Sequence, residues 1–68
     1  MIKTISIEGM HCQHCVAAVK EALEAVNGVS LANVSLEKNN AVVEGENLND
    51  TVLKTAIEDT GFDVISVK

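Results

Sequence analysis

The chain has 68 residues, enough for one domain around one core, which excludes a two-domain enzyme working in a cleft between its halves. Hydrophobic residues make up 47% of it and aromatic residues 1%, a lone Phe62 with neither Trp nor Tyr, so the stacking platforms used by single-stranded nucleic-acid binders are missing. Seven Glu and three Asp stand against five Lys and no Arg, a formal net charge of −5; that sign suits a basic or neutral protein surface and repels phosphate backbones and anionic membranes.

Ile2 to Glu8 alternates, with Ile5 and Ile7 on one face and Thr4 and Ser6 on the other, the pattern of a strand covered on one side. Gly9 breaks it. After the loop Met10 to Gln13, Val16, Val19, Leu23 and Val26 recur at steps of three and four, which predicts an amphipathic helix over His14 to Val26 stopped by Asn27-Gly28. Val29 to Leu36 alternates again with Ala32, Val34 and Leu36 inward. The turn cluster Lys38-Asn39-Asn40 then leads to a short partner strand, Ala41 to Glu44, in an antiparallel hairpin. Beyond the polar linker Gly45 to Asn47, Asn49 or Asp50 caps a second helix whose Val52, Leu53, Ala56, Ile57 and Thr60 share a face; Gly61 ends it, and Phe62 to Val67 forms the last strand. No repeat, low-complexity tract or linker divides the chain, so residues 1–68 read as a single domain. The order βαββαβ predicts an α+β, ferredoxin-like sandwich: a four-stranded antiparallel sheet with both helices on one face.

The longest apolar run, Cys15 to Val19, is far shorter than the roughly 20 residues a membrane span needs, and Met1-Ile2-Lys3-Thr4 has no signal-peptide character. The expectation is a cytoplasmic protein without membrane insertion. Cys12 and Cys15 are the only cysteines. A disulfide between them would close a ring too small to staple the fold, so their role is chemical.

Chemistry concentrates in Gly9-Met10-His11-Cys12-Gln13-His14-Cys15. Two thiols separated by two residues can turn toward one point when one lies in a loop and the other opens a helix, and free N–H groups at a helix start favour the Cys15 thiolate. Soft thiolates select Cu(I), Zn(II) and other thiophilic ions over Mg(II) or Ca(II). Three readings compete for such a pair: thiol–disulfide exchange, structural zinc and soft-metal carriage. The chain is short for an oxidoreductase and has no Pro, where the thioredoxin-like enzymes need one; both His and both Cys lie between His11 and Cys15, where a closed zinc site draws ligands from two separated clusters. An open two-thiolate site suits Cu(I) best. No nucleophile–base constellation or carboxylate pair at catalytic spacing is present, so the chain does not read as an enzyme, and Asn33-Val34-Ser35 matches an N-glycosylation signal only inside an expected cytosolic strand.

Over essentially its whole length the sequence resembles the heavy-metal-associated domain shared by small cytosolic copper chaperones and the N-terminal modules of copper-transporting P-type ATPases. The resemblance rests on Gly9-Met10-His11-Cys12-Gln13-His14-Cys15, which fits the family's GMxCxxC, on Asn27-Gly28-Val29 with Val34-Ser35-Leu36, and on Gly61-Phe62-Asp63-Val64. It implies Cu(I) held by Cys12 and Cys15 and passed by thiolate exchange to the metal-binding domain of a copper-transporting P-type ATPase. Cys-Gln-His-Cys is similar to bacterial chaperones, whereas Phe62 stands where those chaperones commonly carry Tyr and ATPase modules often carry Phe. Met1 directly at the first strand and an end one residue past the last strand fit a freestanding chaperone; an excised ATPase module and a mercury- or zinc-handling homologue are the alternatives.

Met10 is expected as a buried filler rather than a thioether ligand. His11 is expected to be solvated, and His14 exposed in the first helical turn, able to approach a metal only in a copper-dependent homodimer bridged by thiolates. Because the last strand pairs with the first, Phe62 is expected beside the metal loop, shielding it without ligating.

Overall fold

The computed structural model describes all of residues 1–68. Its elements are β1 (Ile2–Glu8), α1 (Gln13–Glu24), β2 (Val29–Ser35), β3 (Asn40–Gly45), α2 (Asp50–Glu58) and β4 (Asp63–Val67). The strands form one antiparallel sheet in the order β2-β3-β1-β4, the ferredoxin-like arrangement that the element order predicts.

The period-2 residues of the strands face the helices. Ile5 and Ile7 of β1, Ala32 of β2, and Ala41 and Val43 of β3 are buried in one cluster with Val19 and Leu23 of α1 and Leu53 and Ile57 of α2. The intervening strand residues are half-buried or exposed, so both helices cover a single sheet face. No buried side-chain polar group lacks a partner, and the burial of branched aliphatic side chains, worth about 1.5–3 kcal/mol each, is what holds this small core together.

Several boundaries move from the sequence expectation, each for a local reason. α1 starts at Gln13 because the Cys12 carbonyl accepts from the amides of Cys15 (3.1 Å) and Val16 (3.3 Å). It stops at Glu24, two residues before Val26: the Val26 amide bonds back three residues to Leu23, which tightens the last turn. Asn27-Gly28 therefore does not terminate the helix; it occupies the middle of a separate turn closed by the Val29 amide on the Val26 carbonyl (3.2 Å), with Gly28 at φ +96°. β2 ends at Ser35, where the Ser35 hydroxyl accepts from the Lys38 amide (3.3 Å), although Leu36 still packs on the core. β3 is longer than expected by one residue at each end, Asn40 and Gly45, and β4 starts at Asp63 rather than Phe62.

On α2, Asn49 is the cap: its Oδ1 accepts from the amides of Thr51 (2.8 Å) and Val52 (3.3 Å). Val52 does not join the inward face; it is 47% exposed, one step round the helix from Leu53 and Ile57. Leu48, at the end of the β3–α2 connection, is buried with the core, although the surrounding Asn and Glu residues disguise it as polar linker.

Candidate metal site

β1 delivers the chain to the site and α1 carries it away. Gly9 makes the exit, at φ +102°, a left-handed conformation that a side chain resists. Met10 then turns inward and is buried, anchoring the loop in the core as a packing residue. The next four residues, His11 to His14, are exposed. Cys12 sits at the N-cap of α1 with extended backbone (φ −152°, ψ 172°) and Cys15 lies one turn along, half-buried and packed against the core edge.

This geometry brings the two free thiols together, Sγ to Sγ at 3.5 Å. With metal–sulfur bonds of about 2.3 Å, that spacing subtends an angle of roughly 100°. A linear two-sulfur arrangement needs about 4.6 Å, an opening of roughly 1 Å, which exposed Cys12 can supply by rotating its side chain. Nothing else converges there: no third His, Cys, Asp or Glu joins the pair. His11 and His14 both face solvent on either side of Cys12.

The Cys15 thiol lies below its ordinary pKa. The foremost cause is the His11 backbone amide turned onto its sulfur. The Cys12 thiol hydrogen bond comes next, and the amides of Cys12 and Cys15 add to it against a partial desolvation that pushes the other way. The direction agrees with the helix-start argument, but the leading donor belongs to the loop before the helix.

Phe62 stands where the topology predicts it. Glu8 pairs with Asp63 and Ile7 with Val64, so the residue preceding β4 borders the exit from β1. The Phe62 ring is half-buried against the core, and its Cδ1 lies 3.5 Å from where a Gly9 side chain would begin. The same register sets two carboxylates, Glu8 and Asp63, directly opposite one another and exposed beside the thiol loop. The two acids are 55 positions apart in the sequence and meet only through the β1–β4 register.

The profile of the heavy-metal-associated domain matches residues 4–63. The chain belongs to that family. A heavy-metal-associated domain is a metal-binding carrier module rather than an enzyme. Among curated relatives it is similar to the copper chaperone CopZ of Staphylococcus saprophyticus, 48% identical over 64 residues that cover 91% of this chain and 94% of the relative. Among solved structures it superposes on a CopZ metallochaperone with a TM-score of 0.92 at 37% identity, covering 96% of this chain and 100% of that one. A copper-binding domain from HMA7, a P-type ATPase, gives a TM-score of 0.91 at 35% identity, covering 100% and 95% of the two chains. In this heavy-metal-associated domain no helix is long and apolar enough to cross a membrane.

Proposed function

We propose that residues 1–68 act as one heavy-metal-associated domain that carries Cu(I) between the thiolates of Cys12 and Cys15 and hands it to a metal-binding domain of a copper-transporting P-type ATPase in the cytoplasm. The observation that carries this reading is the pair of adjacent thiols at 3.5 Å, on the surface and without a third ligand, in a chain whose curated relatives are copper chaperones over nearly their full length. Two soft thiolates satisfy a monovalent d10 ion at low coordination, and the unfilled positions are where a partner's thiolate attacks. Each exchange forms one metal–sulfur bond before the next breaks, so the ion never enters water.

Surface charge supports the choice of partner. Glu8 and Asp63 flank the loop with no cation bridged to either, the one ion pair being Lys3 with Asp50 (3.1 Å). A partner with Lys or Arg round its own metal loop is drawn toward that edge, and added salt slows the encounter. Phe62 and the likeness to an ATPase domain favour a second reading, in which the same site serves as a module of such a transporter. With excess copper the thiolates also bridge two copies through exposed Cys12, a copper-dependent homodimer in which His14, exposed in the first turn of α1, lies near the shared ions.

The test is anaerobic titration of the reduced protein with Cu(I), Zn(II) and Hg(II) in competition with a chelator, for the wild type and for Cys12→Ser and Cys15→Ser. Each variant is expected to keep the apo fold and lose tight Cu(I) binding. Wild-type affinity in either one sinks the two-thiolate reading, and a preference for Hg(II) or Zn(II) over Cu(I) reassigns the cargo.

A further inference from the structure

The Asn27-Gly28 pair is not used by the metal site, and its surroundings invite a reaction of its own. Of the six asparagines in the chain, Asn27 alone precedes glycine. It is exposed in the turn between α1 and β2. Its carboxamide has no protein hydrogen-bond partner, and the Gly28 amide donates to no protein acceptor. The other asparagines are hindered. Asn33 and Asn40 lie inside strands and are followed by Val34 and Ala41, Asn39 and Asn47 are followed by Asn40 and the buried Leu48, and the Asn49 side chain is engaged in capping α2.

We propose that Asn27 is a self-modification site that deamidates through a succinimide formed with Gly28. The Gly28 amide nitrogen attacks Cγ of Asn27 and a C–N bond forms. The bond from Cγ to the side-chain nitrogen breaks, and ammonia leaves with the proton given up by the Gly28 nitrogen. Water then opens the five-membered imide at one carbonyl or the other, giving aspartate or isoaspartate. In sum the asparagine gains water and loses ammonia. Glycine makes the attack easy because no side chain crowds its nitrogen, and mild alkali speeds it by deprotonating that amide.

The two products differ in what they do to the fold. Aspartate keeps the backbone and adds one negative charge. Isoaspartate inserts a methylene into the main chain beside Gly28, where there is no slack. The Gly28 carbonyl accepts from the Glu46 amide (2.9 Å), a Cβ on Gly28 would collide with the Glu46 carbonyl oxygen, and a Cβ on Gly45 would collide with the Gly28 carbonyl oxygen. The isoaspartyl form therefore loosens the joint between the start of β2 and the end of β3. Cys12 and Cys15 follow the other end of β1, about 20 Å away for a strand of this length, and are untouched by it. An aged population is then less stable with its thiol site intact, and it displays an isoaspartyl carboxylate, the chemical group on which a repair methyltransferase acts.

The experiment stores the reduced, folded protein at physiological temperature in mildly acidic and mildly alkaline buffers and follows tryptic peptides by mass spectrometry. The expected result is a mass gain of about 1 Da at Asn27, roughly tenfold faster than at any other asparagine and faster in alkali. Enzymatic methylation is expected to report isoaspartate. Asn27→Gln is expected to abolish the gain, and Asn27→Asp to melt close to wild type while the isolated isoaspartyl fraction melts lower. Asn27 ageing no faster than the other asparagines overturns the site, and an isoaspartyl fraction as stable as Asn27→Asp overturns its structural consequence. Both readouts stand whether or not the thiols bind copper.

Discussion

At the Met1 end of the sheet the backbone is bonded from several directions: the Met1 ammonium donates to the Gly45 carbonyl (2.9 Å), the Gly45 amide to the Met1 carbonyl (3.1 Å), and Thr4 and Lys68 exchange bonds of 2.7 and 2.8 Å. Lys3 pairs with Asp50, and Asn49 caps α2 at the same end. At the Glu8 end the four residues His11 to His14 are exposed, Cys12 caps α1 with its carbonyl alone, and two carboxylates oppose each other across β1 and β4. The thiol pair is left in reach of solvent and of other molecules, and the bonding that holds the sandwich is concentrated at the far end.

The largest effect expected is at the interlocked glycines. Gly45→Ala puts a methyl into the Gly28 carbonyl, and overpacking against backbone that cannot shift costs about 3 kcal/mol. In so small a domain that is a large share of the total stability. Urea denaturation is expected to show the loss, while any folded fraction at low temperature binds Cu(I) as tightly as wild type. An unchanged midpoint removes the close approach from the account, and weakened binding in the folded fraction shows that the two ends are coupled.

Asn49→Ala is expected to cost about 1 kcal/mol, since two helix-start amides lose their acceptor, and to lower the melting temperature by roughly 5 °C. Asn49→Asp keeps an acceptor in place and is expected to recover most of it. A loss of copper affinity in either variant would contradict the separation of the two ends.

The sequence made the helix side of this molecule readable because branched residues recur at one period per element: Val19, Leu23, Leu53 and Ile57 are all buried as their spacing predicts. The convergence of Cys12 and Cys15 was legible for a different reason, since two residues between a loop thiol and a helix-start thiol turn both toward one point. What escaped was set by contacts distant in sequence. Leu48 is apolar within a polar segment and joins the buried cluster that also holds Leu53 and Ile57 of α2, and the Asn27-Gly28 turn is detached from α1 by the tightened Val26 bond, which no local pattern announces. The Glu8–Asp63 opposition needs the β1–β4 register, interrupted after Ser6 by an irregularity that leaves Ile65 exposed.

That opposition gives a third, smaller effect with two readouts. Like charges directly across an antiparallel pair are destabilising, so Glu8→Gln or Asp63→Asn is expected to raise stability by about 0.5 kcal/mol at low salt and by less as salt screens the pair. Either change also removes half of the negative edge, so copper transfer to a basic partner domain is expected to slow while Cu(I) affinity stays level. Faster transfer in the neutralised variants would reverse the proposed steering.

The smallest effect belongs to Cys15. Because its folded pKa lies below the ordinary thiol value, the thiolate is stabilised by folding. That increment is complete above the unfolded pKa and is lost as pH falls through the folded one. Thiolate absorbance is expected to rise at lower pH than for an unperturbed cysteine, and the stability gap between wild type and Cys15→Ser to widen with rising pH through that window. The gap stays small, since the sulfur is near solvent and the thiolate is well hydrated in either state. Protons compete with copper for the same lone pairs, so chelator competition is expected to hold its affinity down to the folded pKa and weaken beneath it. The foremost donor is the His11 main-chain amide, so His11→Ala is expected to leave the shifted titration in place. A return to the ordinary value in that variant would move the cause from the backbone to the imidazole, and a gap flat across the whole pH range would remove Cys15 from the stability of the fold.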